Sequence, residues 1–161
     1  MERRKRVAVI GAGAASADDL ARAEQVGAEI ARHGAILICG GLGGCMEAAA
    51  RGARRAGGTT IGLLPGYDAE SANREIEIPL PTGLGQARNV LVVASADAVI
   101  AIAGGPGTLS EMALALKLGR RVVGLGTWQL QAPDGTPPPI LRSDDPREAV
   151  RLALGPGPAA G

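Results

Sequence analysis

The chain has 161 residues, 46% of them apolar and 20% charged, with a net charge of +1. That length supports one domain with a full core, and the composition excludes a disordered chain. Near-neutral charge and 1% aromatic content argue against a nucleic-acid partner, which would need a basic surface and rings for stacking.

The chain opens on Arg3-Arg4-Lys5-Arg6, read as a solvated basic arm. Val7-Ala8-Val9-Ile10 is a buried strand, too short for a signal-peptide core. Charges or glycines interrupt every apolar stretch, so none spans a membrane and the cytoplasm is the expected compartment. The strand ends in Gly11-Ala12-Gly13-Ala14-Ala15-Ser16. Ser16 caps a helix with Asp18 and Asp19 in its first turn, which runs to about His33. Gly11-x-Gly13-x-x-Ser16 is a weak dinucleotide signal. An NAD site also wants an acid after the second strand, and Ala35-Ile36-Leu37-Ile38-Cys39 runs instead into Gly40-Gly41-Leu42-Gly43-Gly44. NAD therefore ranks low.

His33 is the only histidine. It precedes Gly34 at the helix end, where a cation suits the dipole. A Ser-His-Asp triad or two-histidine zinc site would have to be built on it, so no metal is expected. Cys39 and Cys45 lack a C-x-x-C spacing and read as buried small residues.

The five residues 40–44 lead into a helix over 45–55. A tight turn explains some of these glycines; a ligand-facing loop is at least as good a reading. Residues 59–64 form the third strand. The loop 65–74 is a lid or a mere connection. Glu75-Ile76-Glu77-Ile78 alternates like an edge strand, ended by Pro79 and Pro81. Residues 85–95 fit a buried helix, with Gln86, Arg88 and Asn89 near its start. An arginine beside such an apolar stretch wants an anion, either a protein carboxylate or a ligand phosphate.

Residues 98–103 form a central strand, followed by Gly104-Gly105-Pro106-Gly107-Thr108 and a helix over 109–118. Bare backbone and the positive end of a helix dipole suit an anion. Thr108-Leu109-Ser110-Glu111 is also a capping box, so Glu111 has two readings: cap or site residue. Residues 121–125 are another strand. A proline-rich loop over 126–139 holds Trp128. Ile140-Leu141 is a short strand, and Asp145-Pro146-Arg147-Glu148 starts a last helix reaching Leu154. Residues 155–161 are a disordered tail. Strands and helices alternate throughout. The expected fold is α/β: one Rossmann-like domain over residues 1–154, an open, mostly parallel sheet with helices on both faces, its site at the strands' carboxyl ends.

Two motifs carry a family resemblance. Gly40-Gly41-Leu42-Gly43-Gly44-Cys45-Met46-Glu47 resembles the GGxxGxM segment of the LOG-like (SLOG, "lysine-decarboxylase-like") superfamily. Residues 103–111, Ala103-Gly104-Gly105-Pro106-Gly107-Thr108-Leu109-Ser110-Glu111, resemble its PGGxGTxxE motif. Arg88 falls where those proteins carry an arginine. The likeness covers about residues 7–125 and is closest to the small branch that includes molybdenum-cofactor carriers. It implies a Rossmann-like fold, a phosphorylated ligand and a homodimer or homotetramer. It carries a catalytic pair onto Arg88 and Glu111, and a phosphate cradle onto Gly104, Gly105, Gly107 and Thr108. Ala103 replaces the motif's proline, and Asn89 replaces the lysine after the arginine.

The ligand set read from both sources is Gly11, Gly13, Gly40, Gly41, Gly43, Gly44, Asn89, Gly104, Gly105, Gly107 and Thr108, with Arg88 and Glu111 at the rim. Three functions follow. The first is a carrier or binding protein for a phosphorylated nucleotide or a molybdopterin-type molecule, with no cofactor otherwise required. The second is a phosphoribohydrolase that cleaves the N-glycosidic bond of a nucleoside 5′-monophosphate, with Glu111 countering the positive charge that builds on the sugar. The third is a structural oligomerisation module. Self-association is expected through the apolar helices 85–95 and 109–118.

Overall fold

A computed structural model describes residues 3–156. Its elements, in chain order, are β1 (Arg6–Gly11), α1 (Ala17–Arg32), β2 (Ile36–Cys39), α2 (Cys45–Arg55), β3 (Thr60–Leu64), β4 (Ile78–Pro81), α3 (Arg88–Ala94), β5 (Ala98–Ile102), α4 (Pro106–Lys117), β6 (Arg121–Leu125), β7 (Ile140–Arg142) and α5 (Pro146–Leu154). Short 3-10 turns, Ala69–Ser71 and Gly85–Ala87, precede β4 and α3. The strands make one sheet in the order β4-β3-β2-β1-β5-β6-β7, every pairing parallel. The single Rossmann-like domain is as the alternation of strands and helices requires.

Parallel sheets need both faces covered, and the central strands alternate accordingly. Val7, Val9, Ile100 and Ile102 pack under α1, α2 and α5. Ala8, Ile10, Val99 and Ala101 pack under α3 and α4, against Val92, Val93, Met112 and Ala115. Each fully buried valine or isoleucine contributes about 1.5–3 kcal/mol relative to exposure. On the first face the backbones of α1 and α2 nearly touch. A Cβ built on Gly27 would lie 1.8 Å from the Ala49 carbonyl oxygen, and one on Gly52 would lie 1.9 Å from that of Glu24.

One local expectation is corrected and two are sharpened. The edge strand is Ile78–Pro81, not residues 75–78, and it includes both prolines. Pro79 and Pro81 are two apart, so their missing N–H groups fall on the same, outer side of an edge strand, where no ladder bond is lost. Residues 75–77 are held by a side chain instead: the Thr60 hydroxyl donates to the Glu75 carbonyl and accepts from the Glu77 N–H. Next, the basic arm is exposed over residues 3–5, as read, and is also tied down. Arg3 and Arg6 pair with Asp97, and Lys5 Nζ donates to the Leu154 carbonyl at 2.7 Å. Lastly, Asp145 caps α5 through the Arg147 N–H, while Glu148 turns to Arg151 rather than back to the cap. Ser16 caps α1 as read, accepting from the Asp19 N–H. The last five residues of the expected tail, 157–161, lie outside the described residues. No helix among the described residues is long and apolar enough to cross a membrane.

Candidate functional site

The strand order reverses between β1 and β5. A crevice opens there, beyond the carboxyl ends of the strands, where ligands of open α/β sheets bind. It holds a cavity of about 360 Å³. Three bends converge on it: residues 11–14 after β1, Gly40 after β2, and residues 105–108 at the start of α4. The start of the α3 segment adds Gln86, Arg88 and Asn89, and Glu111 closes one side.

The predicted glycines divide. Gly11, Gly13, Gly40, Gly105 and Gly107 line the cavity; Gly41, Gly43, Gly44 and Gly104 do not. Gly41 packs against Leu64, its N–H donates to Cys39 Sγ, and its carbonyl accepts from the Asn73 N–H. Asn73 also donates from its amide to the Leu42 carbonyl at 2.7 Å, so the 65–74 loop is fastened to this turn. Gly44 is the N-cap of α2 and sits against the carbonyls of Ala12 and Gly13. Gly104, at φ 119°, has the Thr108 side chain where a Cβ would be.

The capping-box reading of Glu111 is overturned. α4 begins earlier than the sequence suggested, with Gly105 as N-cap and Pro106 in the first turn. Pro106 has no N–H to leave unpaired, and the cavity is lined here by Gly107 and Thr108, whose N–H groups lack partners within the helix. Thr108 is thus inside the helix and buried, and Glu111 lies in its second turn rather than at a cap. Burial pushes the Glu111 carboxyl up to about 7; the charge of Arg88 pulls it back only in part.

Arg88 is 8% exposed. One terminal nitrogen donates to the side-chain oxygen of Asn89, the other to the Gly40 carbonyl at 3.4 Å, and Nε has no partner. No ion pair with Arg88 forms among the described residues. Asn89 stands where the resemblance puts a lysine. Its oxygen accepts from the guanidinium, which an ammonium cannot do. The backbone of Gly40 lies so close that a Cβ there would come within 2.8 Å of both Arg88 Nη2 and Met46 Sδ.

Behind the β5–α4 turn is a second layer that the sequence reading missed. The Thr127 hydroxyl donates to the Ala103 carbonyl at 2.5 Å, and Trp128 Nε1 donates to the Gly105 carbonyl at 3.2 Å. Arg142 holds the Trp128 carbonyl at 2.9 Å. A proline-rich loop carries no periodic signal that points to these contacts. Gln86 and Met46 also line the cavity without having been assigned to it; Met46 is the methionine of the GGxxGxM segment, whereas Gln86 belongs to no motif.

The sequence profile of the SLOG cluster4 family matches residues 4–150. An uncharacterized protein of Archaeoglobus fulgidus is 40% identical over 152 residues, 92% of this chain and 93% of its own length. Among solved structures, the molybdenum cofactor binding protein of Rippkaea orientalis is 37% identical, with a TM-score of 0.88 and coverage of 96% of this chain and 98% of that one. The Moco carrier protein of Chlamydomonas reinhardtii is 38% identical, with a TM-score of 0.81 and coverage of 92% and 94%.

Proposed function

The chain belongs to the SLOG cluster4 family, and from that premise we propose that it carries a molybdopterin-type cofactor, holding its phosphate in the crevice between β1 and β5. The observation that carries the reading is Arg88: a guanidinium 8% exposed, with an orphaned Nε and no carboxylate partner among the described residues, facing the N-terminal end of α4 across one cavity. A buried charge without a counter-charge costs several kcal/mol, and a bound phosphate offsets that cost. The helix end adds about 0.3–2 kcal/mol. Protonated Glu111 adds a donor. Among the described residues no group of three or more His, Cys, Asp or Glu is placed to hold a metal ion; the metal would travel bound to the cofactor. Self-association through the α3–α4 layer belongs to the same proposal, since Leu84, Val90 and Leu118 are left exposed there. Light scattering at micromolar concentration tests it; a monomer rules it out.

The test of cargo is Asn89→Asp. The change is nearly isosteric and places a carboxylate within hydrogen-bond distance of Arg88, neutralising the anion site from within. Protein purified from a host that makes the cofactor is oxidised, and the released pterin is counted by fluorescence. Wild type retains pterin; Asn89→Asp loses at least tenfold, with its melting temperature unchanged or raised. Equal loading of the two, or none in wild type, ends the proposal.

A phosphoribohydrolase uses the same pocket, and Glu111 is the observation in its favour. Burial raises its carboxyl to about 7, and the ionised form, whose share grows as pH rises through that range, is the one that counters positive charge on a sugar. Adenine release from AMP by wild type and not by Glu111→Gln supports this reading, and equal release by the two excludes it.

A further inference from the structure

We propose that Trp128 is the wall of a second subsite, one that takes the flat fused-ring end of the ligand whose phosphate sits in the β1–β5 crevice. The inference rests on the anion site described above and adds a direction: the ligand crosses the β5–α4 turn.

An open cleft of about 390 Å³ lies on the far side of that turn, at the carboxyl ends of β5 and β6. Its lining is Ala103, Gly104, Gly126, Thr127 and Trp128. Two of these are glycines and one is alanine, so the indole is the one bulky group and bare main chain forms much of the rest. That shape is an open shelf with one aromatic wall, on which a flat group can stack. Trp128 is the only tryptophan in the chain, and it is 39% exposed. Its position is fixed at both ends: Nε1 donates to the Gly105 carbonyl at 3.2 Å, and Arg142 holds its own carbonyl at 2.9 Å. A ring held this way has little freedom left to lose when another ring stacks on it. Gly105 lines the crevice only, and its carbonyl receives the N–H of the indole that walls the cleft, so one residue ties the two walls together. A ligand that fills both cavities has its phosphate and its ring on a linker that crosses the β5–α4 turn.

The chemistry selects a conjugated fused heterocycle, a pterin first and a purine second, over a phosphate on an aliphatic chain. The experiment is calorimetric titration of full-length wild type, Trp128→Phe and Trp128→Leu with a pterin monophosphate and with inorganic phosphate, after melting curves on all three. Removing a stacked ring lowers affinity roughly 5- to 100-fold. The expected pattern is a loss of that size for pterin monophosphate in Trp128→Leu and within threefold of wild type in Trp128→Phe. Inorganic phosphate affinity is unchanged in both. Equal losses in the two variants overturn the subsite, because the indole N–H would then be the part that matters. Wild-type affinity in Trp128→Leu also overturns it. If wild type binds inorganic phosphate but not pterin monophosphate, the ring subsite falls and the anion site stands. If it binds neither, both fall.

Discussion

The turn after β2 carries four glycines in five residues and the turn after β5 three in four, yet the two are used in opposite ways. In the first, Gly40 alone lines the crevice, while Gly41 and Gly44 let neighbouring chain approach: Leu64 over one, the Ala12 and Gly13 carbonyls against the other. In the second, Gly105 and Gly107 line the cavity, and the outward carbonyls of the turn are held from behind by Thr127 and Trp128. Glycine density marks main chain brought close to something; whether that is protein or ligand depends on what occupies the space a side chain would need.

A pair of alanine substitutions tests this most severely. A Cβ on Gly44 would lie 2.3 Å from the Ala12 carbonyl oxygen, at φ 68°. Gly44→Ala is expected to cost about 3 kcal/mol or more, from overpacking and backbone strain together. A Cβ on Gly107 meets nothing within 4 Å. Gly107→Ala should leave stability within about 0.5 kcal/mol of wild type, or raise it slightly. Its methyl group stands in the cavity, so affinity for a pterin monophosphate should fall about tenfold, or ~1.4 kcal/mol. Urea unfolding and calorimetry read the two effects. Were Gly107→Ala the one to unfold, the contrast between the turns would be reversed.

Much of this was legible in the sequence, and the reason is periodicity. Unbroken β-branched runs such as Val7-Ala8-Val9-Ile10 and Ala98-Val99-Ile100-Ala101-Ile102 announce strands buried on both faces, and their alternation with helices announces the parallel sheet. Convergence of three bends followed from topology, since each bend lies at a strand's carboxyl end. What the sequence hid was contact between distant segments. Thr60 displacing the ladder at residues 75–77 is one case, and Trp128 reaching Gly105 is another. The start of α4 was hidden for a different reason: Pro106 and Thr108 are both good first-turn residues, and the choice between them rests on Thr108 burying its side chain against Gly104. That choice moved Glu111 from cap to cavity.

The next contrast concerns pH, and it is smaller. At the β2 turn the titratable group is Cys39, which burial pushes up to about 11, so it stays a thiol. At the β5 turn it is Glu111, raised by burial from 4.5 to about 7. Between those values the folded chain keeps a proton that the unfolded chain has released. Stability therefore falls as pH rises from about 4.5 to about 7 and levels off above that. Glu111→Gln removes the slope. The two proteins should match in stability near pH 4, with the variant ahead by about 2 kcal/mol at pH 8; contact with cavity water holds the gap below the full linkage value. Anion affinity in wild type should also weaken through the same range, as a carboxylate appears beside the ligand. Parallel stability curves for the two proteins would place Glu111 outside the titrating pocket.

The smallest effect separates the turns at one backbone angle. The β2 turn meets its positive-φ positions with glycines, Gly41 at φ 77° and Gly44 at φ 68°, whereas the β5 turn opens with Ala103 at φ 49°, the only non-glycine residue with positive φ among those described. A proline, as in the motif this segment resembles, is locked near −65° and cannot adopt that angle, so the departure at Ala103 is a requirement of the turn as built here. The left-handed conformation costs a non-glycine residue about 1–2 kcal/mol. Ala103→Gly relieves it but restores about 0.4–1 kcal/mol of entropy to the unfolded chain. The net expectation is a gain of about 0.5 kcal/mol, readable as a small shift in urea midpoint at constant slope. Ala103→Pro should instead destabilise by several times that amount, because it must also displace the carbonyl that Thr127 holds. If the proline variant were as stable as wild type, Ala103 would have to reach a conventional angle, and the Thr127 brace could not be what shapes this end of the crevice.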